Sequence, residues 1–365
     1  MNTPILQFGT SRFLQAHADL FISEALPRAA AIGGITIVQT TASAERAHRL
    51  AALAAPGGFP VHVRGKKNGA VVDGITVVQS VKRALSVHDA WDETARIFAE
   101  EARVILCNTA DKGYDIAAED DGFPTGLPVS FPGKLTKLLL VRFERSGEDL
   151  TVLPAELISR NGDMLKRLVM LLAHRWRLPA AFSDWLEAKV VFTNTLVDRI
   201  VSEPIEPAGA IAEPYALWAI ERRDGQILPC THPAIVVADD IASYEHLKLF
   251  ILNLGHTVLT EGWLQSSLRR DLTVREILAD PIHRGRLLDV YHEDILPGFA
   301  AMGLGDRAEA YVAETIERFE NPFLNHRLSD IAQNHAEKIR RRAGGFLEWS
   351  GSQSPRLRAL LASAP

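Results

Sequence analysis

The stretch of this chain richest in chemistry is Glu245-His246-Leu247-Lys248-Leu249-Phe250-Ile251-Leu252-Asn253-Leu254-Gly255-His256. Its apolar residues fall nearly all round a helix, the pattern of a buried one. Yet the same helix carries Lys248, Asn253 and His256. At about 100° per residue, His256 lies roughly 80° from Lys248 and Asn253 roughly 140°, so the three share one side. Gly255 sits about 20° from Lys248, two turns on, and leaves room beside it; Glu245 lies one turn earlier, about 60° away. A buried lysine is costly unless paired or neutral, and desolvation moves its pKa toward the range of a general base. Asparagine and histidine supply donors that polarise a carbonyl oxygen. The set fits a site that moves a proton while a hydride moves elsewhere. Any one of the three, taken alone, reads better as a satisfied polar residue on a domain-interface helix. Their convergence favours function.

A second candidate lies at the start of the chain. Gln7-Phe8-Gly9-Thr10-Ser11-Arg12-Phe13 follows a short apolar run and opens a helix, the place where backbone N–H groups bind a pyrophosphate. The dinucleotide fingerprint wants three glycines, and only Gly9 matches, with Ser11 and Leu14 at the other two positions. An ordinary strand-to-helix turn capped by Thr10 or Ser11 has the same spacing. An NAD site places an acidic residue after the second strand. Here Gln39-Thr40-Thr41-Ala42-Ser43 precedes Glu45 and Arg46, and an arginine there would accommodate a 2′-phosphate, so NADP stays open beside NAD. Asp198, followed by Arg199, ends an apolar strand and either faces a cleft or forms a surface ion pair. Pro154 to Gly162 follows another strand, at the sheet edge where open α/β sheets bind ligands, or is a turn with Asn161-Gly162 at its corner.

The elements that must position these residues alternate. Strand-like runs at 5–8, 35–40, 103–107, 150–153, 190–193 and 235–238 are separated by helical patterns at 13–31, 44–54, 88–101, 134–145, 163–176 and 180–187. Asn68-Gly69 between two further strands, 61–64 and 70–78, predicts a hairpin turn. This is an α/β pattern, a mostly parallel sheet in a Rossmann-type N-terminal domain. From Ser243 on the sequence is helical almost to its end, and the tail after Gly351, rich in Ser and Pro, is expected to fray. The expected domains are 1–239, nucleotide-binding, and 240–365, all-helical.

Length and composition set limits. The 365 residues are 47% apolar and 23% charged, ordinary for a two-domain globular protein. Forty basic residues against 45 acidic ones give a net charge of −5, which does not suggest a nucleic-acid partner or a basic membrane anchor. No apolar run is long enough for a membrane span and no signal-peptide pattern is visible. Two cysteines, Cys107 and Cys230, exclude a disulfide framework and predict a cytoplasmic protein. The twelve histidines form no His-Glu-x-x-His pattern, so no metal site is expected. No Gly-x-Ser-x-Gly elbow and no Walker lysine are present.

Several of these motifs occur together and in order: Phe8-Gly9-x3-Phe13, Glu156-Leu157-Ile158-x2-Asn161-Gly162, Leu196-Val197-Asp198-Arg199-Ile200, Lys248-x4-Asn253-x2-His256 and Arg318-Phe319-x-Asn321-Pro322. Together they resemble the polyol-specific long-chain dehydrogenases, the mannitol dehydrogenase family, from about residue 5 to residue 345. Within that family, Cys107 to Gly113, Val129 to Lys137 and Thr195 to Val201 look most like the tagaturonate reductases (altronate oxidoreductases), although this chain looks shorter between Val201 and Ile235. The resemblance implies zinc-independent hydride transfer with NAD(H) on a small sugar acid or polyol, in a monomer or weak homo-oligomer. It implies Lys248 as general acid/base, Asn253 and His256 on the reacting oxygen, Asp198 on the substrate chain and Glu245 at the proton exit. Cofactor contacts are implied at Gly9, Thr10, Ser11, Phe13, Thr40, Asn108 and Asp111. Substrate contacts are implied at Asn161, Arg199, Lys338 and Arg342; one of Lys338, Arg340 and Arg342 would be the cation for a carboxylate, although each alone reads better as part of a solvated basic helix end. Two positions depart from the family pattern: Leu157 stands where mannitol dehydrogenases carry an oxyanion-site asparagine, and Ser11 replaces the second glycine. A sugar alcohol dehydrogenase and an inactive nucleotide-binding protein are the alternatives.

Overall fold

The computed structural model describes residues 3–42, 44–109 and 111–363, with the side chains at 44–48, 111 and 112 outside the description. Thirteen strands are described: β1 (Ile5–Phe8), β2 (Ile35–Gln39), β3 (Phe59–Lys67), β4 (Ala70–Val78), β5 (Val81–Ser86), β6 (Val104–Cys107), β7 (Leu150–Pro154), β8 (Val190–Phe192), β9 (Thr195–Asp198), β10 (Val201–Pro204), β11 (Ala210–Ala212), β12 (Leu217–Glu221) and β13 (Ile235–Ala238). The chain separates into two units. The first holds Met1–His62, Gly74–Ala212 and Ala216–Ile241; the second holds Val63–Asp73, Glu213–Tyr215 and Ala242–Pro365.

In the first unit six strands form a sheet in the order β5-β2-β1-β6-β7-β8. Every pairing in it is parallel. The order reverses direction between β1 and β6, which opens a crevice at the strands' carboxyl ends. The strands are continuous apolar runs because helices cover both faces. Phe8, Phe98, Leu135, Leu139, Val152, Leu165 and Phe182 are among the buried core. β5 is an edge strand that sequence reading missed, because Lys82 and Arg83 interrupt its apolar pattern. Arg83 bonds Thr36 and pairs with Glu101. Two further sheets, in the orders β10-β11-β3-β4 and β13-β12-β9, complete the strands.

The helix expected over 13–31 is broken into Arg12–Gln15 and Ala18–Ala25. Tertiary bonds hold the break: Arg199 donates to the Ala16 carbonyl at 2.6 Å, and the His17 ring bonds the Leu217 carbonyl at 3.0 Å.

The second unit is built on helices packed round Phe250, Ile251, Leu254, Tyr291, Phe299, Phe319 and Phe346. The tail expected to fray instead forms a helix, Pro355–Ala362. Ser354 caps it, Pro355 occupies its first turn, and Leu357 and Leu360 are buried. The tip of the β3–β4 hairpin also belongs to this unit. Asn68 and Gly69 turn with φ of 54° and 76°, the positive values that a two-residue hairpin needs. Glu317 accepts both of their N–H groups at 3.1 and 2.6 Å. Asn321 donates to the Arg64 carbonyl, and Arg64 lies over the Phe323 ring. Arg318 makes a buried two-point ion pair with Glu213, at 3.0 and 2.8 Å. Among the described residues no helix is long and apolar enough to cross a membrane.

Removing one partner of a buried ion pair leaves the other charge uncompensated. Glu213→Ala is therefore expected to lose about 3–5 kcal/mol in chemical denaturation, while Glu213→Leu with Arg318→Met loses much less. Equal losses in the two variants would refute this account of the pair.

Candidate active site

In the first unit the crevice after β1, β2 and β6 is a cleft of about 310 Å³. Gly9, Thr10, Ser11, Arg12, Gln39, Thr40, Thr41, Arg49, Asn108 and Thr109 line it. Gly9 holds φ +119°, and a Cβ there would stand 2.7 Å from the Asn108 carbonyl oxygen. The loop thus needs a glycine on two counts, backbone angle and space. Ser11 caps the following helix by accepting from the Leu14 N–H, and donates to Asn108 Oδ1 at 3.3 Å. Its hydroxyl ties two walls of the cleft together, a role glycine could not play. Thr10 lends its carbonyl to Gln15, and the Phe13 ring stacks on His17. Arg12 pairs with Glu206 at 2.6 Å. Of the expected cofactor contacts, the structure brings Gly9, Thr10, Ser11, Thr40 and Asn108 together. Phe13 is not among the lining residues, and the side chains of Glu45, Arg46 and Asp111 lie outside the described set.

Beneath this cleft Glu156 organises the ends of β6 and β7. It accepts from the N–H and hydroxyl of Thr109, the Cys107 thiol and the Tyr114 hydroxyl. Burial pushes the Glu156 carboxyl up, and the Cys107 thiol and Tyr114 phenol rise with it. Sequence reading quoted Glu156 but gave it no role. An acidic residue ending an apolar strand was the available signal.

Asn161 is corrected. It is fully buried, and its amide donates to the carbonyls of Pro154, Glu156 and Thr195 while accepting from the N–H groups of Gly162 and Thr195. Two amide hydrogens already serve three carbonyls, so none remains for a substrate. Arg199 is buried on the Ala16 carbonyl, and Asp198 is buried at the end of β9, so neither belongs to a surface ion pair. Leu157 is 56% exposed.

In the second unit, Lys248–Asn253 is a π-helical turn, flanked by α-helix on both sides. Two more occur at Val290–Ile295 and Arg340–Gly344. A π turn bonds i to i+5 and recurs at functional sites. This corrects the angles expected for a regular helix. The wider turn brings Asn253 and His256 round toward the face of Lys248 and carries Gly255 off it. The space at Gly255 belongs to Tyr291, whose hydroxyl would stand 2.0 Å from a Cβ there. That hydroxyl donates to the Ile251 carbonyl at 2.9 Å. Arg342 donates to the Asn253 carbonyl and the Thr257 hydroxyl, both at 2.8 Å.

Lys248 and Glu245 are half-buried rather than buried. His256 is buried, with its ring against Phe319 and edge-on to His326, and its Nε2 has no protein partner. Burial lowers its pKa well below 6.5, and the charges of His326, Arg342, Arg318 and Lys338 push the same way. His256 is thus a neutral imidazole with one nitrogen to offer. Lys338 gives one hydrogen to the Ile331 carbonyl at 2.8 Å, and its ammonium has two more. Sequence reading missed His326, which lies 70 residues from its neighbour with no shared pattern.

A parallel-sheet unit with a glycine-turned cleft at its switch point, followed by a helical unit with a lysine and an amide on a π turn, defines a dinucleotide-dependent oxidoreductase. The match to known families agrees. Residues 3–228 match the mannitol dehydrogenase Rossmann domain and residues 240–348 the mannitol dehydrogenase C-terminal domain. The chain belongs to the mannitol dehydrogenase family. It is 32% identical to an altronate oxidoreductase of Halalkalibacterium halodurans, over 93% of this chain and 69% of that protein. It is 30% identical to one from Bacillus subtilis, over 93% and 73%. Among solved structures it superposes on Pseudomonas fluorescens mannitol 2-dehydrogenase, a ternary complex with NAD and D-mannitol. The TM-score is 0.76 at 19% identity, covering 99% of this chain and 79% of that one. A D-sorbitol dehydrogenase superposes with TM-score 0.77 at 17% identity, covering 95% and 76%.

The lowered histidine pKa sets a pH dependence. Above about pH 6.5 His256 is neutral folded or unfolded. Below it the unfolded chain takes up a proton that the folded chain refuses, so stability falls as pH falls. His256→Asn is expected to flatten the loss of stability between about pH 6.5 and pH 5, read by denaturation at each pH. An unchanged slope would place the titrating burden elsewhere.

Proposed function

We propose that the protein interconverts a keto sugar acid, of the tagaturonate or fructuronate type, and its aldonate, with NAD(H) and without zinc. The observation that carries the acid substrate is the trio of cations around His256: Arg318, which is paired with Glu213, Arg342, which donates to Asn253 and Thr257, and Lys338, whose one bond among the described residues goes to the Ile331 carbonyl. Glu213 offsets Arg318, and Arg342 is committed to carbonyl and hydroxyl oxygens. Lys338 is left as the cation for a carboxylate. The altronate oxidoreductase relatives support the same substrate class.

The cleft fits a dinucleotide, because its glycine turn lets backbone approach a phosphate where a side chain would collide. Gly9, Thr10, Ser11 and Asn108 would hold the phosphates, and Thr40 the ribose. When bound, the nicotinamide accepts or supplies the hydride. The chain's own residues handle the proton. In oxidation the neutral Lys248 amine takes the hydroxyl proton as the carbinol becomes a carbonyl. In reduction the Lys248 ammonium returns it to the oxygen. Asn253 and His256 donate to that oxygen as charge develops on it, and loss of one such donor costs about a hundredfold or more. Glu245, one turn before Lys248, passes the lysine's proton to solvent. Asp198 contacts the substrate chain.

The test is oxidation of NADH by the purified protein with tagaturonate, fructuronate and fructose, beside Lys248→Ala and Lys338→Met. Lys248→Ala is expected to lose turnover by about a hundredfold or more. Lys338→Met is expected to raise KM for the uronate by about tenfold while sparing a neutral ketose. Turnover on fructose alone, indifferent to Lys338, would make the protein a sugar alcohol dehydrogenase. NADH binding with no turnover on any of the three would leave a nucleotide-binding protein.

A further inference from the structure

Tagaturonate and fructuronate share one carbon chain. In both, the ketone is at C2 and the carboxylate at C6. They differ only in the configuration of the hydroxyl at C4, midway between the two. A site that tells them apart needs a group that meets this hydroxyl, set near both the donor on the reacting oxygen and the cation on the carboxylate.

His326 has that placement within the helical unit. Its ring stands edge-on to His256, with centroids 4.8 Å apart at 72°. Its backbone is held by a neighbouring segment: the Val274 N–H donates to its carbonyl at 2.9 Å, and the next residue, Arg327, bridges to Thr273, the cap of the helix Val274–Leu278. A second short helix, Leu328–Ile331, begins two residues after His326, and Lys338 donates to the carbonyl at its end. Four helical residues rise about 6 Å, so the ammonium stands about that far from the end where His326 lies. The Lys338 charge acts on His326 and His256 alike.

The protonation state of His326 decides what it can bind. Burial holds its pKa below the ordinary histidine value, Asp330 pushes it up and Lys338 pushes it down. The ring is therefore neutral at pH 7, and among the described residues none hydrogen-bonds it. A neutral imidazole offers one donor and one acceptor, the pair that a hydroxyl satisfies, whereas a carboxylate is held best by a cation. We infer that His326 reads the configuration of the substrate at C4, binding that hydroxyl while His256 holds the reacting oxygen and Lys338 the carboxylate. The inference rests on the keto sugar acid reading proposed above and adds the residue that chooses between the two epimers. One epimer turns its C4 hydroxyl toward the imidazole. The other turns it away, and the loss of one hydrogen bond costs about tenfold.

The test is kcat/KM for tagaturonate, fructuronate and fructose at saturating NADH, on the whole chain. Wild type is compared with His326→Phe, which keeps a ring against His256 without its nitrogens, with His326→Ala, and with His326→Gln, which restores a neutral donor and acceptor. Thermal denaturation verifies folding, and either of the first two variants suffices if it folds. The wild type is expected to prefer one uronate by about tenfold or more. His326→Phe and His326→Ala are expected to cut that preference about tenfold, through the favoured epimer, and His326→Gln to restore part of it. Equal use of both uronates by the wild type overturns the role of His326 and leaves the acid reading intact. Variants that slow both uronates by the same factor do the same. A wild type that reduces fructose but neither uronate, or none of the three, overturns both.

Discussion

Two hydrogen bonds hold the turn on which the helical unit's chemistry depends. Tyr291 donates to the carbonyl of Ile251, and Arg342 donates to the carbonyl of Asn253. A π turn disturbs the i-to-i+4 ladder, and its backbone oxygens need partners that a regular helix would supply itself. Tyr291 and Arg342 each come from a π turn of their own. Three irregular turns therefore support one another. The result carries Lys248 at the start of one turn and Asn253 at its end, with His256 less than a turn beyond. Gly255 is part of the same construction, since any side chain there would displace the Tyr291 hydroxyl. Arg342 thus acts through the backbone of Asn253 as a positioning residue.

The nucleotide cleft rests on a comparable local constraint. Gly9 occupies a left-handed conformation directly against the Asn108 carbonyl. The Asn108 amide donates to the Ala155 carbonyl at 2.8 Å, and Thr109 is fixed by Glu156. The buried Glu156 thus joins the ends of β6 and β7, and Asn161 ties β7 to β9 by the same means. These carboxyl and amide side chains serve the backbone. They tie together the sheet edge beside the cleft that Thr40, Thr41 and Arg49 line.

Much of this was legible in the sequence, for physical reasons that differ by residue. Lys248, Asn253 and His256 stood out because polar groups interrupt an otherwise apolar helix, a local pattern. Gly9 stood out because strand, glycine and helix follow one another. The π turn was invisible: its two stabilising donors lie 40 and 89 residues away along the chain. Arg49 and Thr109 join Gly9 only because the parallel strand order brings the ends of β2 and β6 beside β1. Asn161 was misread as a ligand because an asparagine at a sheet edge looks the same in sequence whether its amide faces a sugar or the backbone. The C-terminal helix was missed although Ser354-Pro355 is a helix-start pair, because composition was weighed over capping.

The central claim is that this chain transfers a hydride to a keto sugar acid while Lys248 supplies the proton. Its most direct test uses NADH dideuterated at the nicotinamide C4, with tagaturonate, and product analysis by mass spectrometry and NMR. The account predicts an aldonate with a single deuterium on the new carbinol carbon from wild type. It predicts almost none in the same time from Lys248→Met, although that variant still binds the dinucleotide. Deuterium transferred at the wild-type rate by Lys248→Met, or an aldonate formed without deuterium, would contradict it.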